Sequence, residues 1–263
     1  MNNSQPIGVF DSGVGGLTVL KNITKKLPNE DYIYYGDNLH LPYGDKSTEE
    51  IIFYTKVILD WYKSLNVKAV LIACNTSSAL ALEELKNDYD FPIFGTIKPT
   101  VKYISNLKET NIGVIATAAT VNSHLYKKEI VSISPEKKVF EISCPGLVEL
   151  VESDKIHLPE TKIKIKACIS PLLDANVDKI VLGCTHYPFL SKIIEELTEK
   201  DGVLIDPAEF ITNEAVEFVS KNKNPQKTGS IKFATSKDVE SFYSQGKKLF
   251  PELENVELIN IFE

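Results

Sequence analysis

The sequence lacks the long apolar run, about 18 residues, that a membrane-spanning helix needs. Its first residues, Met1 to Pro6, also lack the charged start and apolar segment of a signal peptide. We therefore expect a soluble cytoplasmic protein without a membrane partner. No cluster of basic residues stands out in the sequence. The 29 Lys and Arg are outnumbered by 36 Asp and Glu, which gives a net charge of -7. This balance argues against a nucleic-acid partner and favours a small-molecule substrate.

Cysteine is scarce, and no pair has the C-x-x-C spacing that is typical of metal sites. The four cysteines are Cys74, Cys144, Cys168 and Cys184. In a cytoplasmic chain of 263 residues this number predicts free thiols and no disulfide framework. Cys144 and Cys168 have no polar motif beside them, and we interpret both as small core residues.

What the sequence does contain is an internal repeat. The segment NVKAVLIAC at 66–74 recurs as NVDKIVLGC at 176–184, and IGVFDS at 7–12 recurs as IGVIAT at 112–117. Each cysteine segment is short, β-branched and followed by a helical pattern, which predicts a parallel strand ending at Cys74 or Cys184. Parallel sheets bind ligands at this edge, and a helix start lowers the pKa of a neighbouring thiol. We therefore expect two activated thiols at equivalent positions.

The remaining pattern alternates strands with helices, which indicates βαβ units and parallel sheets. The other predicted strands lie near residues 32–37, 93–96, 139–143, 203–206, 231–234 and 256–259. The fold class is thus α/β, with two similar, doubly wound domains related by pseudo-twofold symmetry and a cleft between them. The pattern alone leaves open which half the residues after Pro207 join.

Two thiols on opposite sides of one cleft would suit a racemase or epimerase, which removes a proton from one face of a carbon and returns one to the other. His186, two positions after Cys184, is placed to tune that thiol or carry its proton. The other histidines have no comparable setting. The polar residues that follow each cysteine begin helices and can hold a carboxylate.

The first strand ends in DSGVGG at 11–16, which partly matches a nucleotide-binding glycine turn with Asp37 as a ribose ligand. Thr18 occupies the third glycine position, and Asp11 would repel a pyrophosphate. The alternative is that Asp11 and Ser12 face a small substrate. Two further hypotheses stay open at this point: a nucleotide-dependent oxidoreductase, and a noncatalytic binding protein with a two-lobed cleft.

Four motifs in this order resemble the glutamate racemases of the aspartate/glutamate racemase superfamily. They are IGVFDSGVGGLT at 7–18, PYG at 42–44, ACNT at 73–76 and LGCTHYP at 182–188. The resemblance, from about residue 6 to residue 210, implies cofactor-independent interconversion of L- and D-glutamate for peptidoglycan synthesis, and a homodimer. It implies a first domain of residues 1–97 with 207–263, and a second of residues 98–206. Aspartate, hydantoin or related racemases remain alternatives, although Thr-Glu typically follows the second cysteine of aspartate racemases.

The resemblance also implies the site residues. Cys74 and Cys184 match the two catalytic thiols, assisted by Asp11 and His186 respectively. The implied substrate contacts are Asp11, Ser12, Tyr43, Gly44, Asn75, Thr76, Thr117, Thr185 and His186. The chain departs from the family pattern at His40, where arginine is common, at Ala116, where glycine is common, and in the hinge segment Thr96–Thr100.

Overall fold

The computed structural model describes residues 5–220 and 229–262. These residues form two parallel β-sheets flanked by helices, which confirms the predicted α/β class. No helix within the described ranges is long and apolar enough to cross a bilayer. The expectation about the leader rests partly on residues 1–4, which lie outside the described part of the chain.

All of the predicted strands form. In chain order the strands are β1 (Ile7–Asp11), β2 (Tyr32–Gly36), β3 (Ala69–Ile72), β4 (Ile93–Gly95), β5 (Asn111–Ala116), β6 (Lys138–Ser143), β7 (Lys179–Gly183), β8 (Leu204–Ile205), β9 (Ile231–Thr235) and β10 (Val256–Leu258). The first sheet has the spatial order β10-β9-β2-β1-β3-β4, and the second has the order β6-β5-β7-β8. Every pair is parallel, so the carboxyl ends of each sheet lie at one edge.

Helices connect the strands. The α-helices are α1 (Leu17–Lys26), α2 (Thr48–Ser64), α3 (Asn75–Leu80), α4 (Leu82–Leu85), α5 (Ile97–Ser105), α6 (Ala118–Ser123), α7 (Leu125–Ile133), α8 (Leu147–Glu152), α9 (Pro159–Asp174), α10 (Ser191–Thr198), α11 (Pro207–Val219) and α12 (Val239–Leu249). Short 3-10 helices cover Tyr43–Asp45 and Tyr187–Leu190. The segment after Cys184 therefore starts with a 3-10 turn and not with the α-helix that the sequence predicted.

The central strands of the first sheet are buried on both faces, which is why they read as continuous apolar runs. Alternate side chains enter different cores. Val9 and Leu71 pack with α1 and α11 on one face, whereas Phe10 and Ile72 pack with α2 on the other. This alternation leaves the strand ends, and not the strand interiors, as the place for polar side chains.

The C-terminal part of the chain joins the first sheet. Helix α11 contacts both α1 and α5, and β9 then pairs with β2. The chain thus crosses between the two sheets twice, through α5 and through α11. The domain boundaries at 97/98 and 206/207 fall at these crossings and stay a prediction.

The expectation that all four cysteines are free thiols is wrong for two of them. Cys144 and Cys168 form a disulfide, with their Cα atoms 5.8 Å apart, whereas Cys74 and Cys184 are free and buried. Helix α9 packs along β6 and brings Cys168 beside the end of that strand. The 24-residue separation gave no local signal of this contact.

Candidate active site

The carboxyl edges of the two sheets face each other across a narrow cavity of about 20 Å³. From the first sheet, β1 delivers Ser12 and β3 delivers Cys74; from the second, β7 delivers Cys184. The residues lining the cavity are Ser12, Leu41, Pro42, Tyr43, Gly44, Cys74, Asn75, Thr76, Thr117, Val148, Cys184, Thr185 and His186. The two thiols therefore reach one cavity from opposite sheets.

Asp11 connects the two sides of the cavity. Its carboxylate is fully buried and accepts hydrogen bonds from the backbone N–H of Gly13 and from the hydroxyl of Thr185, at 3.2 Å each. Burial raises the pKa of Asp11, whereas the nearby His186 and these hydrogen bonds oppose the shift. Asp11 does not line the cavity directly but lies behind it.

A chain of three side chains supports the second thiol. The Nδ1 atom of His186 lies 3.9 Å from the sulfur of Cys184, and its Nε2 atom lies 2.5 Å from Oε1 of Glu152 in α8. Burial alone would lower the pKa of His186, but the contacts with Cys184 and Glu152 raise it well above its usual range. The imidazole is thus held in its protonated form beside Cys184.

Cys74 has a different environment. It precedes α3 as its N-cap residue, as the sequence predicted. The predicted low thiol pKa is wrong, however, because burial and then the negative charge of Asp11 raise the pKa of Cys74 to about 12. Helix α3 has six residues, and hydrogen bonds from Ser77 only partly offset the loss of solvation.

Three threonine hydroxyls form a triangle across the cleft. Thr76 of α3 lies 3.0 Å from Thr117 and 3.2 Å from Thr120, and the latter two are 2.9 Å apart. Beside them, Oδ1 of Asn75 accepts from Tyr126 at 2.7 Å and from Thr96 at 2.9 Å. Because this oxygen is occupied, the amide nitrogen of Asn75 is the group available to a ligand.

The segment Leu41–Gly44 forms the outer wall of the cavity. Gly44 packs so closely against Thr117 that a Cβ atom there would lie 2.7 Å from the Cβ of Thr117. The hydroxyl of Tyr43 donates to Oδ2 of the buried Asp37 at 2.6 Å. Glycine at position 44 therefore allows the loop of one sheet to touch the other.

The structure brings together every site residue that the sequence singled out, with Asp11 just behind the lining. Three further residues contact this set in the structure: Glu152, Thr120 and Asp37. The sequence suggested Asp37 only as a ribose ligand. Thr120 had a signal, because Thr117 is the N-cap of α6 and an N-cap side chain bonds to the residue three positions later. Glu152 had none, since its contact with His186 spans 34 residues.

Comparison with known proteins identifies the family of this chain. The model of the Asp/Glu/Hydantoin racemase family matches residues 7–215. The chain belongs to this racemase family. It is similar to a glutamate racemase of Picosynechococcus, with 41% identity over 99% of this chain and 96% of the relative.

Solved structures of family members have the same fold. A glutamate racemase of Bacillus anthracis superposes with a TM-score of 0.93 and 31% identity, covering 98% of both chains. A glutamate racemase of Francisella tularensis in complex with D-glutamate gives a TM-score of 0.92 and 32% identity, covering 99% of both chains. The resemblance inferred from the four motifs is confirmed.

Proposed function

We propose that this family member interconverts L- and D-glutamate without a cofactor, using Cys74 and Cys184 as the two proton-transfer groups. The observation that carries the proposal is the presence of both free thiols in one cavity, each at the carboxyl end of an equivalent strand. Support for glutamate comes from the relatives, among them a racemase whose structure holds D-glutamate.

The two thiols lie in different electrostatic environments, which suits a reaction in which one group accepts a proton and the other donates one. The raised pKa of His186 places a positive charge 3.9 Å from the sulfur of Cys184, whereas Cys74, with a pKa of about 12, keeps its proton. We infer that Cys184 removes the α-proton of one enantiomer while Cys74 donates its proton to the opposite face. The two thiols then exchange protonation states, and the same enzyme accepts the mirror-image substrate.

The carbanion-like intermediate needs stabilisation, because the α-hydrogen of an amino acid is a very weak acid. Donors fixed around a carboxylate in a site that excludes water supply it. In this proposal the α-carboxylate is held by Ser12, Asn75 and Thr185, which line the cavity. Asp11, behind them, supplies the negative charge that complements the ammonium group or assists Cys74.

The threonine triangle is placed to hold the second carboxylate of glutamate. Thr76 and Thr117 line the cavity, and Thr120 bonds to both of them from outside the lining. A carboxylate at this end of the cavity would accept hydrogen bonds from Thr76 and Thr117, with Thr120 orienting their hydroxyls. Among the described residues that line the cavity there is no lysine, so a pyridoxal Schiff base has no partner in this lining. Proton transfer by thiols is sufficient for the proposed reaction.

The resemblance adds three proposals about setting. The reaction takes place in the bacterial cytoplasm, its D-glutamate enters peptidoglycan synthesis, and the enzyme acts as a homodimer. Light scattering of the purified protein tests the last proposal, and a monomer at working concentration would contradict it.

Circular dichroism of purified protein with D-glutamate, and with no added cofactor, tests the proposed activity. Cys184→Ser and Cys74→Ser are each expected to abolish racemisation, while Cys168→Ser, outside the cavity, keeps it. Solvent deuterium uptake at the α-carbon reports whether proton abstraction survives. Racemisation by the Cys184→Ser variant at the wild-type rate would refute the two-thiol mechanism, and turnover of aspartate or a hydantoin instead of glutamate would refute the substrate.

A further inference from the structure

His40 is a departure from the family pattern that directly precedes Leu41 of the cavity wall, and it is half-buried among aromatic rings. Its ring stacks on Tyr54 with centroids 3.9 Å apart and meets the edge of Phe262 at 4.5 Å. Its Nδ1 atom lies 2.8 Å from Oδ2 of Asp37. The ring thus packs between Tyr54 and Phe262 with its Nδ1 nitrogen facing the carboxylate of Asp37.

Asp37 is a buried junction. Its Oδ2 atom, which faces Nδ1 of His40, also accepts a hydrogen bond from the hydroxyl of Tyr43. Its Oδ1 atom accepts a hydrogen bond from the hydroxyl of Ser236 at 2.7 Å. A buried carboxylate needs its hydrogen bonds, because an unsatisfied charged group inside a protein is costly. The His40 bond is therefore part of what keeps this carboxylate in place.

The junction reaches the cavity through Tyr43. This residue is buried beside Gly44, and both line the cavity against the second sheet. The chain of contacts thus runs from Tyr54 and Phe262, on the outside, through His40 and Asp37 to the loop that faces a substrate.

We propose that His40 is a positioning residue for the reaction: it orients Asp37, which holds Tyr43 and so sets the Leu41–Gly44 wall of the cavity. The inference rests on the proposed racemase function. The side chain of His40 does not line the cavity, so its loss alters how well the wall is ordered before substrate binds and leaves the proton-transfer groups unchanged. The Michaelis constant, more than the turnover number, should change.

Two substitutions distinguish the contribution of the His40 hydrogen bond from that of its ring stacking. His40→Phe keeps the aromatic ring and removes the donor, whereas His40→Asn keeps a donor near the Nδ1 position and removes the ring. We expect His40→Phe to raise KM for both enantiomers about fivefold, in line with a partly exposed hydrogen bond to a carboxylate, with kcat changed less than about twofold. His40→Asn is expected to stay within about twofold of wild type.

Hydrogen exchange supplies a readout independent of activity. Amides in residues 38–45 should exchange faster in His40→Phe than in wild type, and His40→Asn should restore their protection. The matched control is His124→Phe, which removes an equal 2.8 Å histidine–carboxylate contact, with Glu141, from a surface outside the cavity lining. It should change neither KM nor exchange at 38–45.

Unchanged KM and unchanged exchange in His40→Phe would overturn the proposal, as would an equal loss in His40→Asn, which would assign the effect to ring stacking. If His40→Phe does not fold by circular dichroism, His40→Ala takes its place with the same expectations. If the wild-type protein does not racemise glutamate, the proposed function fails, while the exchange comparison still decides whether His40 positions this loop.

Discussion

Replacing His186 by asparagine tests the role of the charge beside Cys184. The Nδ1 atom and the sulfur are 3.9 Å apart in a buried setting, and at an effective dielectric constant of about 20 two unit charges at this distance attract by about 4 kcal/mol. Asparagine keeps a neutral donor at a similar position, so only part of this attraction is lost. We expect a loss of about 2 kcal/mol in transition-state stabilisation, or about 30-fold in kcat/KM.

The assay can use a symmetry of the reaction. L- and D-glutamate have equal free energies in water, so kcat/KM must remain equal in both directions for every variant. A variant that slows proton transfer at only one of the two thiols is therefore recognised by its isotope effects, which differ between the two enantiomers. With α-deuterated substrates, His186→Asn should show a larger effect for the enantiomer whose proton Cys184 removes, because that step has become slower.

His157→Asn is the control, since His157 is exposed and lies outside the cavity lining. It should leave kcat/KM and both isotope effects unchanged. A kcat/KM of His186→Asn within twofold of the wild-type value would refute this role of His186, as would isotope effects that rise equally for the two enantiomers.

Four further predictions concern stability and closure. Folding raises the pKa of His186, so its protonation stabilises the folded state fully below about pH 6.5, and this stabilisation is lost as the pH rises through the raised pKa. The difference in melting temperature between wild type and His186→Asn should therefore become smaller as the pH rises. Asp11→Asn should raise stability in urea by about 1 kcal/mol while lowering activity, since it removes a buried charge. Gly15→Ala places a Cβ 2.5 Å from the hydroxyl that donates to Asp11 and should raise KM, whereas Gly13→Ala, with 3.4 Å to its nearest neighbour, should not. Cys168→Ser opens a 24-residue loop and should cost about 3 kcal/mol in urea unfolding. An unchanged unfolding midpoint in Cys168→Ser would contradict the prediction for the disulfide. A less stable Asp11→Asn variant, or equal KM values in Gly15→Ala and Gly13→Ala, would contradict the other two.

Much of the fold could be read from the chain because the signals are local. The β-branched runs before Cys74 and Cys184 predict parallel strands, and the repeat predicts that both thiols occupy equivalent strand ends. Strand pairing then follows, because parallel strands separated by helices allow few arrangements.

The predictions that failed, or that the sequence did not allow, have a common cause. Each concerns a property that is set by residues that are distant in the sequence but adjacent in the fold. Cys74 does begin a helix, but its thiol pKa is set by burial and by Asp11, which neither the helix start nor the cysteine segment reveals. The disulfide and the Glu152 contact join residues on different elements. No spacing in the sequence encodes those distances.

The sequence by itself determined the two parallel sheets, the equivalent placement of the two thiols and the polar residues that follow each strand. Only the tertiary structure decided that one thiol lies beside a protonated histidine and the other beside a buried carboxylate, and that a histidine outside the cavity reaches its wall through Asp37. Strand formation depends on neighbours along the chain, whereas the charge state of a buried group depends on neighbours in space.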